Sequence, residues 1–434
     1  MNVSVLGRLS EMRRARSLRW DVLGIYTLQF ATVALGLLGG IIVARVLGPT
    51  GKGMVDLFQL LYTLLMELGL VGFNSGLLYH LANRGRPLGE VHGTALVFSG
   101  VAGGITALIA WLAWLVWPAW RPLLSGLPQW ALLLALVLVP LAVYRSIWQT
   151  LMIGINRAVL SYQLGLVTGL MALGAIIALW QGGRLTPGAA IGVTASMLAV
   201  SAVVGLVILG KGGGKLRPSG QLARQSLQFG FVIYLSLLAN LLHFKLDQVM
   251  INRLLGTGAV GVYAVSVRWA ETLFLLDGAL IAAALHRISS GTSSDSYRLT
   301  LRLMWRQLQI SGGSGLVLVA VAYPLVTVLY GKAYSGAVLP LVLLVPGVVC
   351  WSLAKVLSQH LVYQRGMRWL PALYAVTGMI TNIVLNLVLI PRWGITGAGL
   401  ASMVSYGLML ALTAVTFRSV HESAATVVAG KEVG

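Results

Sequence analysis

The chain has 434 residues, 58% of them hydrophobic and only 10% charged, and its mean hydropathy is +0.87. A soluble globular chain is nearer 25% charged, so a soluble fold is excluded and an all-α integral membrane protein is expected. The net charge of +20 then calls for basic loops on one side of a bilayer, not for a nucleic-acid partner.

In chain order, residues 1–20 (MNVSVLGRLSEMRRARSLRW) read as a basic tail. The apolar run after it is too long for a signal-peptide core and lacks a small-residue cleavage pattern, which predicts an uncleaved tail followed by a first span. A bilayer core is roughly 30 Å thick. Apolar runs long enough to cross it predict twelve spans, near 21–45, 54–82, 91–117, 129–154, 158–182, 185–210, 225–252, 256–286, 307–330, 334–364, 369–391 and 393–417. They divide into an N-terminal six-helix bundle (21–210) and a C-terminal one (225–417). A linker at 211–224, which takes in most of the Gly-rich stretch GKGGGKLRPSGQ (210–221), reads as flexible, and a tail follows over 418–434. Pro140, Pro324 and Pro346 fall inside spans and are expected to kink them. Trp111, Trp114, Trp117, Trp120 and Trp130 cluster as an aromatic belt would.

With the N-terminus inside, twenty of the 31 Lys and Arg fall in inside segments and seven in outside ones. This asymmetry places both termini in the cytoplasm. The single cysteine, Cys350, allows no disulfide within the chain.

The halves repeat. ARVLGPTGKG (44–53) returns as NRLLGTGAVG (252–261), pairing Arg45 with Arg253, Gly48 with Gly256 and Gly53 with Gly261 at an offset of 208 residues. RSIWQ (145–149) returns as KVLSQ (355–359), a cation and a glutamine four apart in each. Six spans is an even number, so the halves share one orientation, as in alternating-access transporters related by an axis along the membrane normal.

ARVLGPTGKGMVDLF, KLDQVMINRLLGTGAVGVYAVSVRWAETL, LYGKAY (329–334) and NIVLNLVLIPRWGITGAGLASMVSYG (382–407) together resemble the polysaccharide-exporter branch of the multidrug/oligosaccharidyl-lipid/polysaccharide flippase superfamily. The resemblance covers nearly the whole chain in order. It implies two pseudo-symmetric six-helix bundles forming a V around a central cavity, lined mainly by the first, second, seventh and eighth spans. It also implies a flippase that turns a polyprenyl-pyrophosphate-linked oligosaccharide from the cytoplasmic to the outer leaflet, for O-antigen, capsule or exopolysaccharide synthesis. The membrane would be the bacterial cytoplasmic one, and the partners polysaccharide polymerases or glycosyltransferases.

A charge at mid-bilayer costs about 2.5–3.5 kcal/mol on insertion scales, so such residues face a cavity or a partner. The in-span set is Asp56, Glu67, Arg145, Lys245, Asp247, Arg268, Glu271, Asp277 and Lys355. His243 and Asp247 are i,i+4 and share a helix face, while Arg268 and Glu271 are i,i+3 and can pair. Arg145 with Gln149, and Lys355 with Gln359, put a cation and an amide on one face in each half. A pyrophosphate is doubly anionic and a dry cleft strengthens its binding by Lys or Arg. Lys245, Arg268, Arg145 and Lys355, with Gln149 and Gln359 for sugar hydroxyls, are therefore the candidate substrate-binding residues. Asp247, Glu271, Glu67 and Asp277 would tune the field or carry a coupling proton.

Plainer readings stand beside these. Arg268–Glu271 reads equally as an intrahelical ion pair, and Arg145 and Lys355 as snorkelling cations. Asp56 suits an interfacial role at a helix start. His243 reads as a polar contact between helices, and Lys245 and Asp247 as salt-bridge partners of a neighbouring span. Asn382 and Asn386 read as interhelical glue.

No Walker-type loop, His/Cys metal cluster or Ser-His-Asp constellation is present, so no enzyme, ATP hydrolysis or cofactor is expected. The main rival is a drug or cation antiporter of the same superfamily, which would need an acid-rich cavity. A sugar polymerase or ligase would need a large outer loop. A major-facilitator transporter would carry a basic signature where this chain has LANRGRPLGE.

Overall fold

The structure is a computed structural model that describes residues 3–275, 293–367 and 369–432, and every regular element among them is helical. The helices are α1 (Val3–Leu70), α2 (Phe73–Arg84), α3 (Leu88–Val116), α4 (Gln129–Gly154), α5 (Ala158–Gln181) and α6 (Pro187–Gly213). They continue as α7 (Gly220–Leu255), α8 (Thr257–Glu271), α9 (Ser293–Gln307), α10 (Gly313–Leu329), α11 (Val338–Tyr363) and α12 (Leu370–Glu432). Among the described residues eight helices are long and apolar enough to cross a membrane, or nine if the two parts of α7 count as one span. Two of the eight, α1 and α12, are each a pair of helices merged across a kink, at Gly48 and Gly394. The expected eighth span runs past residue 275 and so leaves the described residues.

The breaks fall at glycine. Gly48 has φ 66° and ψ −176°, and Gly256, between α7 and α8, has φ 86° and ψ 173°. Side chains with a Cβ essentially do not enter this region. The two glycines are repeat partners in the sequence, so the repeat records a shared backbone conformation. Helices α4, α10 and α11, by contrast, run on through Pro140, Pro324 and Pro346.

By contact the chain groups into two units. The first takes the described parts of Met1–Ile42, Leu65–Ala110 and Leu133–Phe231; the second takes Val43–Leu64, Trp111–Leu132 and the described parts of Val232–Gly434. In the first unit Phe73 stacks on Phe98 at 3.6 Å between centroids, and Gly205 lets α6 lie against the indole of the fully buried Trp148. Gly76 of α2 and Gly230 of α7 sit where a Cβ would strike the carbonyls of Ser226 and Gly72, so small residues set a close crossing of these helices.

The linker expected to be flexible is docked in this unit. The Arg217 N–H donates to Gly89 O at 3.3 Å and the Ser219 N–H to Thr94 Oγ1 at 3.0 Å. Ser219 Oγ caps α7 by accepting from Leu222 N. Composition read this stretch as loose because it is rich in glycine; its backbone donors find acceptors at the start of α3 instead.

The second unit holds a joint where the sequence repeat meets itself. A Cβ on Gly53 would strike the carbonyl of Thr257, and one on Gly261 the carbonyl of Pro49. Around this crossing the contacts are reciprocal. Buried Asn252 donates to Leu123 O and Ser125 O at 2.9 and 3.0 Å, and Thr257 donates to Ser125 O. From the other repeat, Arg45 donates to the carbonyls of Leu329 and Val328, and Tyr334 donates to Ala44 O at 3.0 Å. Each repeat motif thus binds a connection belonging to the other half of the sequence. Lys52 and Asp56 pair one turn apart at 2.6 Å beside it.

Candidate functional site: a charged cavity walled by aromatic rings

The stretch of α7 from Ile233 to Leu255 alternates apolar and polar faces, and it brings its polar face into the second unit. Asp247 is 3% exposed. A carboxylate so buried needs donors, and it has two: the Tyr263 hydroxyl of α8 at 2.6 Å and the N–H of Gln248 at 2.7 Å. Lys245, two residues away and on another side of the helix, reaches Glu271 at the end of α8. The Lys245 Nζ to Glu271 Oε1 distance is 2.7 Å, with the side chains 25% and 28% exposed. Arg268, by contrast, is exposed. The i,i+3 spacing permits an Arg268–Glu271 pair, but the described ion pair of Glu271 is with Lys245.

Asp247 and Glu271 border a cavity among α7, α8, α11 and α12. Asp247, Glu271 and Ser402 line its polar side, and Phe244, Phe274 and Tyr406 its aromatic side. Trp351 of α11 extends the aromatic wall, 4.7 Å from Phe274 and 5.6 Å from Phe244 between centroids. Lys355, one turn further along α11, places its ammonium 5.0 Å from the Trp351 ring centre, within cation–π range. Four of the expected residues, Lys245, Asp247, Glu271 and Lys355, therefore stand around one aromatic cluster. Gln359, four residues on from Lys355, is half-buried.

Behind the cavity runs a buried polar chain. His243 Nε2 lies 2.8 Å from Ser405 Oγ, the contact between helices expected of it, while its Nδ1 has no hydrogen-bond partner among the described residues. Asn382 donates to Ser402 and Asn386 to Asn382, tying together the two arms of α12 across Gly394.

Arg145, Gln149 and Glu67 lie in the first unit and are half-buried. The Arg145 Nε is buried with no hydrogen-bond partner among the described residues. On the same turn of α4, Tyr144 and His92 of α3 hydrogen-bond at 2.9 Å. Asp277 lies outside the described residues.

Sequence reasoning missed the neutral half of the site. Tyr263, Tyr406, Phe244, Trp351 and Ser402 carry no charge, and aromatic residues in apolar spans do not stand out. One signal was available: a buried tyrosine hydroxyl in a span needs an acceptor, and Tyr263 lies on the span next to Asp247.

Chemically, the cavity offers two carboxylates, one of them paired with the neighbouring Lys245 ammonium, the hydroxyl-bearing side chains of Ser402 and Tyr406, and flat aromatic faces. Such a wall suits a ligand with both polar and apolar parts. A sequence model of the polysaccharide biosynthesis protein family matches residues 19–285.

The chain belongs to that family.

The match carries Lys245, Asp247, Tyr263 and Glu271, whereas Trp351, Lys355 and Tyr406 lie beyond it. Family membership thus spans one wall of the cavity. A "Probable flippase AglR" of Haloferax volcanii is 29% identical over 174 residues, 38% of this chain and 35% of the relative. The match thus spans about a third of that relative's length. Among solved structures, an inward-facing multidrug resistance MATE family transporter of the MOP superfamily aligns at TM-score 0.73 and 15% identity, over 91% of this chain and 95% of its own. The lipid II flippase MurJ, in an inward closed conformation, aligns at TM-score 0.72 and 11% identity, over 91% and 87%. At such identities the likeness is one of fold. That fold is the one expected from the motifs of the chain.

Proposed function

We propose that this protein translocates a polyprenyl-pyrophosphate-linked oligosaccharide across the membrane, from the cytoplasmic to the outer leaflet, by alternating access. The observation that carries the reading is the aromatic cavity whose lining residue Glu271 holds Lys245, in a member of a polysaccharide biosynthesis family. A pyrophosphate arriving at this wall would compete with Glu271 for Lys245, while sugar rings lie on Phe244, Phe274 or Tyr406. Lys355, Arg268 and Arg145 would draw in the anion, and Gln149 and Gln359 would meet hydroxyls. Asp247, Glu271 and Glu67 would balance the charge or carry a coupling proton. The excess of Lys and Arg in alternate loops supports an orientation with both termini in the cytoplasm. Polymerases or glycosyltransferases of the same surface polysaccharide would be its partners.

A second reading has one observation in its favour. The charged groups that line the cavity directly are both acids, Asp247 and Glu271, as a drug or cation antiporter would require. The two readings separate in proteoliposomes holding the protein and either a fluorescent polyprenyl-pyrophosphate oligosaccharide or a cationic dye. Movement of the lipid-linked sugar without dye efflux supports the flippase. Dye efflux driven by a pH gradient, with the lipid static, replaces it with the antiporter.

A further inference from the structure

Helix α9, Ser293–Gln307, runs through a π-helical turn into α10, and the apolar segment Asp295–Leu329 is 35 residues long. At 1.5 Å per residue that is about 52 Å, against a core of roughly 30 Å. About 15 residues must therefore stand in the headgroup region or beyond, and α9 is the polar end.

Its two faces differ sharply. Ser296, Thr300, Leu303 and Gln307 are buried, and they recur at helical spacing. Thr300 Oγ1 lies 3.0 Å from His360 Nδ1 of α11, Tyr297 stacks on Phe417 of α12, and Leu303 packs on Val356. These contacts fix the rotation of α9 about its axis. The opposite face is exposed and carries Arg298, Arg302 and Arg306 at successive i,i+4 positions, so the guanidinium groups follow one another along the helix. Asp295, at the far end, is the acid on this face. Among the arginines Leu301 is 37% and Trp305 61% exposed. The apolar surface continues on α10 with Leu316 and Val317, 72% and 63% exposed.

We propose that this face of α9 is a binding surface for anionic phospholipid headgroups. Guanidinium forks match phosphate oxygens, and Trp and Leu between them suit the boundary between headgroups and acyl chains. An acidic soluble protein would meet the same arginines, but it would leave Trp305 and the apolar surface leading to Leu316 without use. The charge complementarity and the exposed apolar side chains that follow the arginines, Leu308, Ile310, Leu316 and Val317, both select a lipid.

The test is native mass spectrometry of the full-length protein in detergent, titrated with phosphatidylglycerol or phosphatidylcholine. R298Q/R302Q/R306Q is expected to weaken phosphatidylglycerol binding at least about tenfold, with phosphatidylcholine binding unchanged. R298K/R302K/R306K should retain most of the preference. R184Q/R253Q/R392Q, which removes the same charge from other exposed arginines, should leave it intact. Should the triple glutamine variant not fold, R302Q alone is expected to show part of the same loss. An unchanged preference in the α9 variants, or an equal loss in the matched control, overturns the proposal. So does a loss confined to added polyprenyl pyrophosphate, which would assign the face to the translocated lipid.

Discussion

Lys245 and Glu271 are 26 residues apart and meet at 2.7 Å. Their side chains are 25% and 28% exposed, so neither is deeply desolvated, and their value to the fold lies in mutual neutralisation. Lys245→Ala leaves a lone carboxylate in the wall, and Glu271→Ala leaves a lone ammonium. Both should lower the unfolding temperature in detergent, and the double variant should recover part of the loss. The coupling expected for such a contacting pair is about 0.5–3 kcal/mol, measured as a double-mutant cycle. Strict additivity would mean that the pair does not form. Asp247 is a different case, because it is buried and its charge rests on a hydroxyl and a backbone N–H. Removing the hydroxyl by Tyr263→Phe leaves a buried acceptor short of a donor, at a cost of about 1–3 kcal/mol. Phe244→Leu, which keeps an apolar side chain of similar size, should cost less in the same assay. At this scale the charges themselves were legible in the sequence, since a charged residue in an apolar span must have a reason. Their partners were not. Helical spacing shows which residues of one helix can meet, and it favoured Arg268 for Glu271; only the packing of α7 on α8 brings Lys245 there and leaves Arg268 exposed.

At the scale of elements, the glycines of the repeat decide where helices end and how near they come. The offset of 208 residues was visible as letters. What it means physically, that Gly53 and Gly261 lie against each other's neighbouring backbone, was not, because a repeat states likeness and says nothing of contact. Gly261→Val should therefore lower the folded yield and the unfolding temperature sharply, since the atom in the way is backbone and cannot turn aside. Gly104→Val, on α3 with nothing near its missing Cβ, should be tolerated in the same thermal-unfolding assay. Equal behaviour of the two would remove the joint from the account. Gly48→Ala tests the conformation instead of the contact. No atom lies near its Cβ, yet its backbone region is one that Ala resists, at a cost of about 1–3 kcal/mol. The linker at 211–224 carries the opposite lesson. Glycine richness suggested freedom, but Ser219 and Arg217 find partners on α3, and composition does not show where a backbone donor will land.

For the whole molecule, the membrane class, the all-helical fold and the polysaccharide family were all legible, because apolar length and motif order survive without any knowledge of packing. The aromatic wall was hidden for the same reason: in a chain this apolar, Phe244, Trp351 and Tyr406 look like every other lipid-facing or core side chain. The central claim is that a lipid-linked oligosaccharide crosses by way of the cavity beside the Lys245–Glu271 pair. The most direct measurement is the rate at which a labelled polyprenyl-pyrophosphate oligosaccharide changes leaflet in proteoliposomes of wild type, Lys245→Ala and Arg184→Ala. The account predicts transfer by wild type and by Arg184→Ala, and a rate at least about tenfold lower for Lys245→Ala, as for loss of a charged contact worth more than 1.4 kcal/mol. Equal rates for all three proteins would contradict it.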